Sequence, residues 1–315
     1  MIVFKRVMIF PLLLTINIGC SSTSRNIVLL KSGVENWNKW RNENSSVKPG
    51  LSGAHLEDAY LRGANLNSAD LSGAHLEKAH LWCADLRDAY LGLADLQKAS
   101  LYRADLEGAN FVEAHLEGVN LDNARLEGAN LDNAYLEGAN LDNARLEGAD
   151  LEHASLSVAD LEGANLTVAD LEGANLTEAD FEGANLTEAY LDSAHLRGAY
   201  FLRANCRGAD LRGANLLKAY FQGADLRGAD LEGADLRGAD FEGADLEGAK
   251  LKGDDLSQVK SFYKGKFDPD ILSEIRAKWP EKLAIMWDNT KNDWIIDEAL
   301  LAQIKKSDWH GWPEE

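Results

Sequence analysis

An uninterrupted five-residue period runs from Leu51 to Leu256 in this chain. Of the 42 positions in this register, 36 are Leu, five are Phe and one is Cys206. Ala stands two residues before nearly every one of these centres, with Val119 as an exception. Five residues advance an α-helix by about 500°, and in a flat strand an odd period moves the set to the other face at each step. The chain must therefore turn once in every pentapeptide.

The spacing within each pentapeptide predicts how the turn is made. Because Ala and Leu lie two apart, a three-residue extended segment places both inside and the intervening Asp or Asn outside. The other two residues form a corner, and Gly often occupies the second, as at Gly108 and Gly128, where permissive backbone angles are needed. Four of the Phe centres are twenty residues apart, as four-sided coils would require: Phe181, Phe201, Phe221 and Phe241. A ten-residue echo in the same segment also favours multiples of ten.

These residues resemble the pentapeptide-repeat proteins, whose motif is A(D/N)LXX, across residues 51–256. The resemblance implies an all-β solenoid, a right-handed quadrilateral β-helix with four pentapeptides per coil. At about 4.8 Å per stacked coil, the repeats would make about ten coils and a rod about 50 Å long. We expect short α-helical caps at both ends, because an open stack exposes unpaired backbone groups.

The flanking segments predict those caps. Residues 27–43 have helical spacing, through Trp37 and Arg41, and complete an N-terminal segment, 21–50, of tether and cap. Residues 257–315 form the C-terminal cap or tail, in which Asp268 is expected to N-cap one helix and a second helix is expected from Asp293. The Trp-rich tail is interpreted as a cap, and the alternative is a docking site, for instance for a second copy of the chain.

The first twenty residues have the pattern of an export signal. Lys5 and Arg6 precede an apolar run over residues 7–18, which is too short to cross a bilayer as a helix. Gly19 and Cys20 follow, and this end resembles a bacterial lipoprotein signal, which implies that Cys20 is acylated and becomes the new N-terminus. Asn17 stands where that family usually has Leu. Ordinary secretion and an uncleaved N-terminus are the alternatives.

The sequence contains few residues that indicate catalysis or ligand binding. No catalytic constellation or phosphate-binding loop is separable from the repeat, so we expect a protein that is not an enzyme and has no cofactor. His55 and His75 are direct neighbours on one face and offer two metal ligands, but no third ligand is evident, so no metal site is expected. Cys83 and Cys206 are too far apart along the coils to pair.

Charge is the one functional lead. The net charge is −20, and residues 101–200 hold 21 acids and 4 bases. This balance argues against direct binding of nucleic acid. We expect glutamates to stack at opposite sides of the rod as a candidate interaction face, with three on one side and two on the other: Glu107, Glu127 and Glu147; Glu117 and Glu137.

Two functions remain open. The leading hypothesis is a lipid-anchored, non-catalytic solenoid of the bacterial cell envelope that presents a rigid acidic surface to an unknown protein partner. The resemblance also implies an alternative, because similar proteins imitate duplex DNA and protect type II topoisomerases in the cytoplasm. The competing interpretation of the acidic coat, in either location, is a surface that only keeps the rod soluble.

Overall fold

The computed structural model describes residues 22–251, 256–288, 293–306, 309, 311 and 312. Parallel bridges join each outward-facing residue to the residue twenty positions later, from Gly50 with Asp70 to Asp230 with Lys250. Four pentapeptides therefore complete one coil, as the spacing of the Phe centres predicts. Each side of a coil contributes a single bridging residue, because a corner follows every five residues and leaves no room for a longer strand.

The corners have one conformation throughout. At the first corner, the Ala54 amide donates to the Leu51 carbonyl at 3.0 Å, which closes a four-residue turn. The second corner residue has a positive φ, 63° at Gly53 but also 54° at Asp58 and 57° at Val158. This confirms that the position needs left-handed backbone angles, and it shows that many corners adopt them without Gly.

The inside of the rod is a packed apolar column. From Leu51 to Leu251 every five-residue centre is buried, with no more than 6% of its surface exposed. The Phe181, Phe201, Phe221 and Phe241 rings stack along the axis with successive centroid distances of 4.8, 4.6 and 5.0 Å. The ladder expected from the twenty-residue spacing is confirmed.

The coils continue past Leu256, where the sequence pattern predicts their end. Asp240 bridges to Ser261 and Asp245 bridges to Lys266, which are twenty-one residues later instead of twenty. Phe262 continues the ring ladder at 5.7 Å from Phe241. One inserted residue moves the apolar centres out of the five-residue register without ending the stack, and this is why the count from sequence stops too early.

In the part of the chain that the structure describes, two helices precede the first coil instead of the single helical segment expected over 27–43. Helix α1 spans Ser22–Lys31 and α2 spans Val34–Glu43. Gly33, with a φ of 123°, separates them. The expected tether is also corrected, because residues 22–27 belong to α1, where Asn26 is buried and donates to the Gly50 carbonyl at 3.2 Å.

Helix α2 supplies polar partners to the first coil. The Trp37 indole nitrogen donates to the Asn65 carbonyl at 2.7 Å, and the Asn65 amide donates to Asn38 Oδ1 at 2.8 Å. Arg41 donates to the Asn67 carbonyl at 2.9 Å. Further along the rod the residue at the Asn65 position donates to the preceding coil, so α2 takes the place of a coil that the chain does not have.

The described part of the C-terminal region contains two further helices and a pair of strands. Helix α3 spans Pro269–Lys278, strands β1 and β2 span Ile285–Asp288 and Asp293–Ile296, and α4 spans Glu298–Ile304. Short 3₁₀ turns span Leu256–Gln258 and Pro280–Leu283. The two strands pair antiparallel. This region meets the last coil where the Phe262 amide donates to the Lys282 carbonyl at 2.8 Å.

One sequence prediction for this region is wrong in detail. The expected helix from Asp293 is a strand first, because consecutive aromatic and β-branched residues, Trp294 and Ile295 among them, favour extended backbone. Helix α4 begins only after Asp297, whose Oδ1 accepts from the Leu300 amide at 2.9 Å. Asp268 is the N-cap residue of α3, as the sequence predicts, but its carboxylate makes no hydrogen bond to the helix and instead accepts from the Gly248 amide at 3.1 Å.

Candidate functional site

The expected lipid attachment residue, Cys20, lies outside the described residues. Helix α1 begins two positions later, at Ser22. Within the part of the chain that the structure describes, no helix has the length and apolar composition to cross a membrane.

The glutamates expected to form one ladder are interleaved with arginine. Glu107, Glu127 and Glu147 share a corner of the rod, since they are spaced by one coil. Arg125 lies 2.8 Å from Glu107 and 3.5 Å from Glu127, and Arg145 lies 2.8 Å from Glu127. Arg125 and Arg145 lie on the side next to this corner, two residues before the next Glu, so Glu107 and Glu127 have guanidinium partners. Because one coil has twenty residues, side chains eighteen residues apart in the sequence come into contact. This spacing could have predicted the ion pairs.

Glu117 and Glu137 lie at the opposite corner, half a coil away. His115 Nδ1 lies 3.3 Å from Glu117 Oε1, and the Ser155 hydroxyl donates to Glu137. The five glutamates of the candidate face thus divide between two corners, as their ten-residue spacing predicts.

Further carboxylates border the side of the rod that begins at Glu117 and Glu137. We define the acidic side as the acids that are bridging residues of this side or the first residue of either corner that borders it, between residues 117 and 182. Its members are Glu117, Glu137, Asp122, Asp142, Asp160, Glu162, Asp180 and Glu182. Sequence reasoning missed the last six, although each follows from the same twenty-residue geometry.

The acidic side has a concentrated negative potential. Burial raises the pKa of Asp142, and the carboxylates of Asp122 and Asp160 raise it further. Burial and then neighbouring carboxylates, led by Asp142, also raise the pKa of Glu162. An ion pair with Arg203 reaches this group at its far end, through Glu182. Like charges repel one another here, so a cationic partner would relieve that repulsion.

Towards the C-terminal end, acids are matched by arginine within their own repeat. In the sequence Asp-Leu-Arg, the guanidinium reaches back to the carboxylate two residues earlier, for example from Arg237 to Asp235 at 2.6 Å. The hydrogen bond from the Arg237 guanidinium lowers the pKa of Asp235, and Arg227 does the same for Asp225. The middle of the rod is therefore the part where carboxylates most lack such partners.

A histidine cluster lies on the first two coils. Ligand atoms of His55, Glu57 and His75 all lie within 4.8 Å of one another. The expectation that His55 and His75 have no third partner is thus wrong, because Glu57, at the corner after His55, reaches back to 2.8 Å from its Nδ1. His115 stands apart and stacks on Tyr135 at 4.9 Å. The repeated sequence Ala-His-Leu-Glu could have predicted that each His lies near the Glu two residues later.

Neither described cysteine has a disulfide partner. Cys83 is exposed at a corner, and Cys206 is buried in the apolar column. Burial raises the pKa of the Cys206 thiol well above its usual range, so this thiol is unreactive.

A family model and a solved structure both identify pentapeptide repeats in this chain. The family model for pentapeptide repeats matches eight copies between residues 51 and 253. A search of curated proteins gave no match. One similar solved structure is the crystal structure of HetL, a pentapeptide repeat protein involved in heterocyst differentiation regulation in the cyanobacterium Nostoc. HetL is 34% identical to this chain with a TM-score of 0.66, and the match covers 69% of this chain and 98% of HetL.

A second similar structure is a trypsin-treated form of QnrB1, a plasmid-mediated fluoroquinolone resistance protein. It is 22% identical with a TM-score of 0.42, and the match covers 57% of this chain and 92% of QnrB1.

Proposed function

Because this chain belongs to the pentapeptide-repeat family, whose fold is a right-handed quadrilateral β-helix, we propose that it is a non-catalytic interaction protein. In this proposal a lipid holds the rod at the bacterial cell envelope, and the acidic side binds a protein partner. The observation that carries the proposal is the acidic side itself, where burial and repulsion between carboxylates raise the pKa values of Asp142 and Glu162. A complementary basic surface would gain from meeting it.

A rigid rod suits this role, since it holds charges at fixed spacing without an ordering cost on binding. We propose slightly more than the about ten coils counted from sequence, at about 4.8 Å each, closed at both ends by helical caps. The hydrogen bonds from α2 to Asn65 and from Phe262 to Lys282 support this, because they occupy backbone groups that a further coil would otherwise pair.

We propose Cys20 as the lipid attachment site. Since α1 begins at Ser22 and packs through Asn26 against Gly50, an acylated Cys20 would have one residue between the lipid and the folded rod. The first coils would then be held close to the membrane surface, without the longer tether that the sequence predicts.

The anchor is tested by labelling cells with palmitate and fractionating them, with wild type beside Cys20→Ser. We expect label and membrane attachment in wild type only, and an unchanged circular dichroism spectrum in the variant. An unlabelled, soluble wild-type chain that alters supercoiling by a type II topoisomerase would overturn the proposal in favour of the cytoplasmic DNA mimic.

The acidic side is tested with two charge-matched variants. One changes Asp122, Asp142 and Glu162 to their amides, and the other changes Glu107, Glu127 and Glu147 to Gln. Both remove three negative charges, but only the first removes them from the acidic side. We expect partner capture from envelope extracts to fall in the first variant and to persist in the second. Equal capture by both would show that the charge is only a solubilising coat.

A further inference from the structure

The His55, Glu57 and His75 cluster joins two consecutive coils. His55 and His75 are bridging partners, one coil apart, and their rings stack with centroids 4.6 Å apart and planes inclined by 6°. Glu57 follows His55 by two residues, at the corner, and its carboxylate turns back towards both rings. Backbone bridges fix the spacing of the two histidines, so the three side chains start from a preformed arrangement.

The chemical character of this set is that of a transition-metal site. Two imidazole nitrogens and one carboxylate oxygen are a ligand set that zinc accepts in proteins, with water in the remaining position. Metal binding requires the stacked rings to turn so that both present a nitrogen to the ion. The side chains of His55 and His75 are 69% and 44% exposed, which leaves space for that rotation.

A second carboxylate lies near His75, where it can act as an outer partner, which contacts a metal-binding histidine without itself binding the metal. Glu77 repeats the position of Glu57 on the next coil, with Oε1 at 3.7 Å from His75 Nδ1. Its other oxygen, Oε2, is buried and has no hydrogen-bond partner. Histidines that bind metals usually donate their second ring nitrogen to such a carboxylate, which orients the ring and raises its basicity. Glu77 is placed to serve His75 in this way.

We infer that His55, Glu57 and His75 form a binding site for a divalent transition metal of the zinc class, with Glu77 as the outer partner of His75. The ion would link the first coil to the second on the side facing away from the apolar column. It would stabilise the folded rod, because the unfolded chain does not hold the two histidines together.

The same chain contains a matched control. Residues 114–117 repeat the sequence Ala-His-Leu-Glu of residues 54–57, and His115 lies 3.3 Å from Glu117. Its neighbours one coil away are Asp95 and Tyr135, however, so it has no second histidine. His115→Gln therefore removes an equivalent exposed His–Glu pair without touching the cluster.

The test is zinc titration by calorimetry on the full chain, without an affinity tag and in a Cys20→Ser and Cys83→Ser background that removes the proposed lipid attachment residue and the exposed thiol. We expect one zinc ion per chain and a rise in melting temperature with zinc. His55→Gln, Glu57→Gln and His75→Gln should each weaken zinc affinity by more than about tenfold, since the loss of even an outer partner costs that much in other sites.

Circular dichroism first establishes that each variant is folded, as expected for exposed side chains. His115→Gln should keep both the affinity and the melting shift of the parent. The inference is overturned if zinc does not saturate at one equivalent, or if His55→Gln and His115→Gln bind it equally. A zinc-induced melting shift that persists in His55→Gln would also contradict it.

Discussion

The ring ladder offers a quantitative test of coil stacking through Phe221. Its ring lies between Phe201 at 4.6 Å and Phe241 at 5.0 Å, with planes nearly parallel to both. Phe111 is equally buried, with none of its surface exposed. The centres one coil before and after Phe111 are leucines, so it provides a buried phenylalanine outside the ladder.

We expect Phe221→Leu to destabilise the rod more than Phe111→Leu does. Both substitutions remove the same atoms from a buried site and insert the residue that fills most other centres, so the cost of lost volume is common to both. Only Phe221 also loses two ring pairs, each contributing about 0.5–1.5 kcal/mol beyond buried area. The free energy of unfolding should therefore fall by about 1–3 kcal/mol more in Phe221→Leu.

Urea unfolding followed by circular dichroism measures this difference, with the intrinsic fluorescence of tryptophan as a second probe of whether the transition is cooperative. The Cys20→Ser background gives the same non-acylated chain in each case. An equal loss in the two variants, or a larger loss in Phe111→Leu, would refute the claim that stacked rings stabilise neighbouring coils.

Three further predictions concern corners, core and charge. Val158→Gly should raise the free energy of unfolding by about 1 kcal/mol in urea melts, because Val158 has a φ of 57°, whereas Gly128→Val should lower it similarly. Leu146→Asp buries an unpaired charge in the column, so an unchanged circular dichroism melt would contradict the coil packing. The raised pKa of Asp142 means that its ionised form opposes folding above that pKa. Asp142→Asn should therefore stabilise the rod at pH 7 by up to about 0.5 kcal/mol, a gain that urea melts should show disappearing in acid.

The repeated part of the fold could be predicted from the sequence because one short pattern sets it. Inward Leu and Ala, a corner after every centre and the twenty-residue Phe spacing all describe the same coil, and the bridge from Asn120 to Asn140 is one example of it. Local preferences and the global fold agree here, which is the condition under which sequence reasoning succeeds.

The remaining sequence predictions were wrong or incomplete where contacts depend on more than the five-residue period. A single inserted residue moved Phe262 out of register although it continues the stack. The Trp294 segment is a strand because it pairs with a neighbour that the periodicity does not show. At the surface, Arg125 reaches Glu107 across coils, and Glu57 folds back on His55. The first contact joins residues eighteen positions apart that the coil brings together. The second depends on a side chain that turns back at a corner.

The central claim is a straight stack in which every twenty residues add one coil. Spin labels measure this rise directly by pulsed electron resonance when both labels of a pair replace exposed residues on the same side of the rod, in a chain with Cys20→Ser and Cys83→Ser. Labels replacing Tyr90 and Tyr190, five coils apart, should give a narrow distribution near about 24 Å, and labels replacing Tyr60 and Tyr200, seven coils apart, one near about 34 Å. The buried Cys206 should not react with the label. Broad distributions, or two distances that do not scale as five to seven, would contradict the account.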